Sequence, residues 1–244
     1  MFGYALAVSS EMARRQDGKT VLRGVNVRAS ILAVCVLAVR VVALAAQTEP
    51  IDQGTLLIRV GDVEVGREQF VIQPARRGGL AGSTLRATAS YPGFRPRVQF
   101  ITALERNAAQ TLTTFQFEVG GDAPERTVAE LARDRLTVRI AAPARESAHE
   151  YAGGADLVVL DDSVYSLWLA VADLATEGGT PLRLIVPRTG WRGRLVATRT
   201  RIPDGPPSIS LTGDIEGRIL LDENGRFSGL ILPSRRVEIL RLTE

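Results

Sequence analysis

Cysteine and histidine are almost missing from this chain of 244 residues: each occurs once, as Cys35 and His149. Beyond Cys35 there is no thiol nucleophile, no disulfide and no Cys-based metal site. Metal sites built from His or Cys clusters are excluded by number, so no metal and no cofactor is expected. A Ser-His-Asp triad would have to use His149, which lies in "RESAHEY", a polar alternating stretch that reads as an edge strand; a surface histidine is the simpler reading. There is no G-x-S-x-G nucleophile elbow, and no Gly-rich phosphate loop follows a strand and opens a helix. Aromatic residues make up 5%, so the core must lean on Val, Leu, Ile and Ala.

A basic excess is missing as well, once the leader is set aside. The formal charge is +3. Arg14, Arg15, Lys19, Arg23, Arg28 and Arg40 all fall within residues 1–45, against Glu11 and Asp17. The remainder carries 24 basic and 25 acidic residues. Nucleic-acid binding wants a positive surplus on the folded part, so no nucleic-acid partner is expected.

What is present begins with "VRASILAVCVLAVRVVALAAQTEP". Arg23 and Arg28 form a positive region, Ile31 to Val39 an apolar run, and Ala43-Leu44-Ala45 a small-x-small cleavage site. The expectation is a leader with a secretory signal peptide over 1–45, cleaved near Ala46, with translation starting internally near Val25 or Val27. An uncleaved anchor would need ~20 apolar residues. This run is shorter and is interrupted by Arg40, so no stable membrane span is expected after cleavage. Export without any disulfide suits a bacterial envelope protein, periplasmic or extracellular.

From Thr55 onward period-two alternation dominates, the mark of strands with one wet face. "TLLIRV" and "VEVGREQFVI" are joined at Gly61-Asp62, and Gly66 marks a bulge or bend. "STLRATASY", "RVQFITALE", "TLTTFQFEV" and "RLTVRIA" continue the pattern. Later come "PLRLIVP" and "GRLVATRT" around Thr189-Gly190, "PSISLTG", a hairpin around Asn224-Gly225, and "RRVEILRL". Roughly a dozen strands with regular turn signals predict a single mainly β domain over 46–244. Its expected form is an antiparallel, strongly curved sheet or unclosed β-barrel, with a β-sandwich as the alternative. "YAGGADL" around Gly153-Gly154 is the best candidate for an internal boundary.

One stretch departs from this pattern: "VLDDSVYSLWLAVADLA". Val164, Leu167, Trp168, Val171, Leu174 and Ala175 recur at helical spacing, widened by Tyr165 and Leu169. The spacing predicts one apolar helix near 162–177, capped by Asp162 or Ser163 and ended by Gly178-Gly179. The sheet is expected to wrap around it. Asp161 and Asp162 also suggest acid/base work, but adjacent aspartates at a helix start more simply serve as caps. "RTGWRGR" groups Arg188, Trp191, Arg192 and Arg194, either as a grip for an anionic head group or as a solvated turn.

The opening "GTLLIRVGDVEVGREQFVI", the central "LDDSVYSLWLAVADL" and the closing "GRILLDENGRFSGLILP" together resemble bacterial secreted β-rich proteins of unknown function. Their layout is similar to the lipoprotein-carrier (LolA/LolB-like) fold, an unclosed barrel with a helical lid over an apolar cavity. That resemblance implies a non-enzymatic exported protein that binds an apolar or amphiphilic ligand, such as a lipid, in the concavity of its sheet. Candidate lining residues are Phe100, Phe115, Phe117, Tyr165, Trp168 and Leu169. Two alternatives stand beside it: an envelope scaffold or interaction module with a filled core, and a hydrolase using acidic residues.

Overall fold

The computed structural model describes residues 49–77, 80–93, 98–201 and 205–242. The leader expected over 1–45 lies outside the described residues. The described residues fall within one compact unit.

Every strand belongs to one sheet. In chain order the strands are β1 (Asp52–Val60), β2 (Val63–Arg77), β3 (Leu80–Tyr91), β4 (Val98–Asn107), β5 (Leu112–Gly120), β6 (Glu125–Ala132), β7 (Arg135–Ala142), β8 (Arg145–Ala152), β9 (Leu157–Val159), β10 (Thr180–Val186), β11 (Trp191–Thr200), β12 (Ser208–Gly213), β13 (Gly217–Leu221), β14 (Phe227–Leu232) and β15 (Val237–Leu242). Their spatial order is β8-β7-β6-β5-β4-β3-β2-β1-β15-β14-β13-β12-β11-β10-β9. The expected mainly β, curved antiparallel sheet is therefore what the chain forms, and it is not a two-sheet sandwich.

The order has a simple logic. It is a meander in which the first and last strands pair in mid-sheet, from Thr55 opposite Leu242 to Val60 opposite Val237. The two edges of the sheet, β8 and β9, are instead consecutive in the chain. Gly153–Asp156 joins them, which is where the sequence places its internal boundary. Arg183 of β10 holds this joint. Its guanidinium donates to both carboxylate oxygens of Asp156 at 2.6 Å, and to the carbonyls of Ala152 (3.1 Å) and Gly153 (2.8 Å). A sheet whose edges are tied by four residues must curl strongly; within it the edge strand β9 is buried throughout, while β8 stays largely exposed.

Local chemistry sets the bends. Gly61 takes φ +60° in the first hairpin turn. Beside Gly66, Ile58 pairs with Gly66 and Arg59 with Glu64, so Val65 is the extra residue of a bulge. A Cβ at Gly66 would stand 2.7 Å from the Ser90 carbonyl oxygen, which explains the glycine. Strands missed in the sequence, β6 and β9, are either weakly alternating ("ERTVAELA") or short and buried throughout ("LVV").

The connection from β9 to β10 crosses the concave side, and this makes β9–β10 the parallel pair of the sheet. It carries the helical segment, which is shorter than the expected 162–177. A 3-10 turn over Tyr165–Leu167 leads into α1 (Trp168–Leu174), and Ala175 is already extended. Seven α-helical residues are too few to be stable on propensity alone. Val164, Leu167, Trp168, Leu169 and Val171 are buried within the curve, and tertiary contacts hold both ends of the segment.

Candidate functional site

The two ends of the helical segment are built differently. At its start, neither Asp162 nor Ser163 caps it. The cap comes from across the sheet. Glu68 of β2, fully buried, accepts from the backbone N–H of Tyr165 (2.6 Å) and of Ser166 (2.9 Å). Glu68 shares the inner face of β2 with Phe70 and Ile72, and burial pushes its carboxyl up to about 7 despite those two donors.

Asp161 and Asp162, the expected cap and candidate acids, are both engaged elsewhere. The Asp161 side chain is 1% exposed. It accepts from Ser163 N–H at 2.8 Å and from Arg188 Nε and Nη2 at 3.1 and 3.2 Å. Burial raises its carboxyl above the usual range, while Arg188 opposes the rise. Asp162 pairs with Arg235. Tyr91 donates its hydroxyl to the Ser163 carbonyl at 2.8 Å.

The aromatic candidates sit at this same end. Phe100, Phe115 and Phe117 are buried and in ring contact, with Tyr91 edge-on to Phe100 at 5.7 Å. Arg188 lies over Phe100 and Phe117, at 5.8 and 5.2 Å from the ring centroids. Tyr165 and Trp168 are buried alongside.

The four anion candidates do not converge. Arg188 turns inward to Asp161. Arg192 and Arg194 are exposed and line a surface cleft of about 360 Å³ with Tyr151, Arg183 and Asp214. Trp191 is partly buried and packs on the core.

At the other end of the segment Arg199 of β11 donates to the Ala172 carbonyl (3.0 Å) and lies at the limit of bonding distance from that of Ala175 (3.5 Å), a cation on the negative helix end. Beside it opens a cleft of about 450 Å³. Leu169 lines it, together with Ile51, Ile72 and Phe227, and with Ser83, Arg106, Gln110 and Asp173. Of the six proposed lining residues, Leu169 is the one on this cleft. Arg106 is its buried charge: the side chain is 5% exposed and Nη2 donates to Asp173 at 2.6 Å.

Arg106, Ser83 and Glu68 escaped the reading of the sequence, although a signal was there. On β4 the inner face runs Phe100, Thr102, Leu104, and the next step of two is Arg106. Ser83 continues Leu85, Ala87 and Ala89 in the same way, and Glu68 precedes Phe70 and Ile72. A charged or polar residue in phase with a core face has to be accounted for.

The class defined by this geometry is an open, barrel-like antiparallel sheet curled around a short internal helix, with a polar-rimmed cleft at the C-terminal end of that helix. No family model matches the chain, and no curated protein matches it. Among solved structures it is similar to the crystal structure of a beta-barrel-like protein of the domain of unknown function DUF1849 from Brucella abortus. The TM-score is 0.41 at 12% identity, with 78% of this chain and 92% of that chain covered.

Proposed function

We propose that this is a non-enzymatic exported protein of the bacterial envelope that binds an amphiphilic ligand in the concavity of its curved sheet, in the manner of a lipoprotein-carrier-like fold. The observation that carries this reading is the cleft beside α1. Its volume, about 450 Å³, falls within the roughly 300–1,000 Å³ of small-molecule sites. Its lining sets a small apolar group (Ile51, Ile72, Leu169, Phe227) beside a larger set of polar and charged side chains, Asp52, Ser83, Arg106, Gln110, Asp173, Arg199 and Arg226, the two surfaces an amphiphile needs. Ile51 stands 54% exposed at the cleft, an apolar side chain left in water.

A second reading, a scaffold with a filled core, draws support from the burial of Phe100, Phe115, Phe117, Tyr165 and Trp168. In that case these rings plug the curve and the cleft binds nothing. Native mass spectrometry of the full chain purified from its own envelope separates the two. Ligand binding predicts a bound mass at one per chain, and uptake of a lipophilic dye after delipidation. Absence of both leaves the scaffold.

A further inference from the structure

We propose that the cleft at the C-terminal end of α1 is a head-group site for a carboxylate-bearing amphiphile, with Arg106 and Ser83 receiving the carboxylate. This deepens the ligand-binding reading above and rests on it.

The observation is a concentration of unmet polar demand. Among the described residues, eight buried side-chain nitrogen and oxygen atoms find no hydrogen-bond partner. Four of the eight belong to this one cleft: Arg106 Nε, Arg106 Nη1, Ser83 Oγ and Gln110 Oε1. Each such group, left unmet, costs about as much as a full desolvation penalty, and more where it is charged. One such atom is common in a fold, whereas four lining one hollow gather hydrogen-bonding capacity in a single place.

The register explains why they gather. Ser83 of β3 and Arg106 of β4 are directly opposed across the ladder, both on the inner face at its cleft end. The hydroxyl and the guanidinium are thus neighbours. Nε and Nη1 carry three N–H groups between them, Ser83 adds an O–H, and Gln110 adds an amide that can present its NH₂ by rotation. All of these can serve one acceptor-rich group. Charge agrees. The cleft is lined by Arg106, Arg199 and Arg226 against Asp52 and Asp173, and Asp52 is already neutralised by Arg241 at 2.6 and 3.1 Å. Asp173, 46% exposed, holds only Nη2 of Arg106, so an incoming carboxylate reaches the guanidinium past a partner that water can also solvate. Leu169, Ile72 and Phe227 next to it suit the first methylenes of an acyl chain.

The test is titration calorimetry on the delipidated full chain with three probes: dodecanoate, dodecanol and inorganic phosphate. Dodecanoate should bind one per chain. Arg106→Met should weaken it about tenfold to a hundredfold, the worth of a charge-assisted hydrogen bond or two, and weaken dodecanol, whose neutral hydroxyl accepts an ordinary hydrogen bond, severalfold at most. Arg106→Lys should recover part of the loss. Should Arg106→Met not fold, Ser83→Ala carries the test with an expected loss of severalfold. Unaltered dodecanoate affinity in Ser83→Ala and in any folded Arg106 variant overturns the head-group assignment, while dodecanol binding would keep the broader amphiphile reading alive. Arg106-dependent binding of phosphate with no binding of either acyl probe overturns the amphiphile instead. Binding of none of the three removes both.

Discussion

The two ends of the helical segment inside the sheet hold buried ionisable groups of opposite fate. At its start Glu68 and Asp161 are both partnered: backbone amides donate to each, and Arg188, which lies over Phe100 and Phe117, pairs with Asp161. Near its end Arg106 has one partner, Asp173, and two nitrogens without any among the described residues. Glu68 and Arg106 both stand in phase with core-facing residues of their strands, so burial alone does not distinguish them. The difference lies in partners, and it separates a structural lock from a site prepared for something else.

The largest expected effect falls on the partnered end. Glu68→Ala strips two buried amides of their acceptor and leaves a cavity, at about 4 kcal/mol. Equilibrium denaturation in urea measures it. Glu68→Gln, which retains an acceptor, should cost clearly less. A loss below about 1 kcal/mol in Glu68→Ala would mean that the cap is dispensable and that the two ends are alike.

The same residue gives the lock a pH signature. The Glu68 carboxyl is raised from about 4.5 to about 7 in the native state. Between those values the native chain holds a proton that the unfolded chain has released. The part of the stability that this group controls is therefore fullest below pH 4.5 and declines as pH rises toward 7, by on the order of 3 kcal/mol. Asp161, raised in the same direction by burial, adds to the decline at the acid end. Urea denaturation across this range in wild type and Glu68→Gln isolates the Glu68 part, because the glutamine cannot titrate. Parallel curves would place the native Glu68 pKa near its ordinary value.

How much of this was legible beforehand divides along the same line. Alternation in "RLTVRIA" or "STLRATASY" reports one wet face and one dry face, and the meander follows from the short turns at Gly61-Asp62, Thr189-Gly190 and Asn224-Gly225. The joint at Gly153-Gly154 was visible as a break in pattern. That it ties the two sheet edges together was not, since the pairing of β1 with β15 is set by distant residues. Periodicity also drew the helix too long: it registers apolar spacing, and cannot register that Val164 is extended (φ −135°, ψ 106°) or that the cap comes from β2, nearly a hundred residues away. The aspartates of "LDDS" looked like caps because cap chemistry is usually local. Here these local acceptors take a turn N–H and two arginines instead. In sequence Arg188 groups with Trp191, Arg192 and Arg194, yet it stands in the turn after β10, and from there its guanidinium reaches Asp161.

Arg188→Met tests the lock from its cationic side. It leaves Asp161, almost fully buried, without its counter-charge, and such a loss costs about 3–5 kcal/mol in a closed interior. The Arg188 side chain is 27% exposed, so water replaces part of the interaction and about 2 kcal/mol is expected. The double variant Arg188→Met with Asp161→Asn should recover much of that loss, since no charge is then left unpaired. Additivity of the two substitutions in a double-mutant cycle would show that the pair is not coupled.

The smallest effect is the most telling. Arg106 is more deeply buried than Arg188, with a side chain 5% against 27% exposed, and burial by itself would make it the costlier to remove. Partners argue the reverse. Met in its place abolishes two unmet buried nitrogens, and the carboxylate it releases, Asp173, is 46% exposed and returns to water. A desolvated charge with few partners adds little to stability, and apolar replacements of comparable size are often neutral or better. Arg106→Met should therefore change the unfolding free energy by less than about 1 kcal/mol, in either direction. A loss of several kcal/mol would place Arg106 with Glu68 and Asp161 as a structural charge and erase the contrast between the two ends. A near-neutral outcome together with lost dodecanoate binding would mean that the arginine is retained there for its ligand at little cost or benefit to the fold.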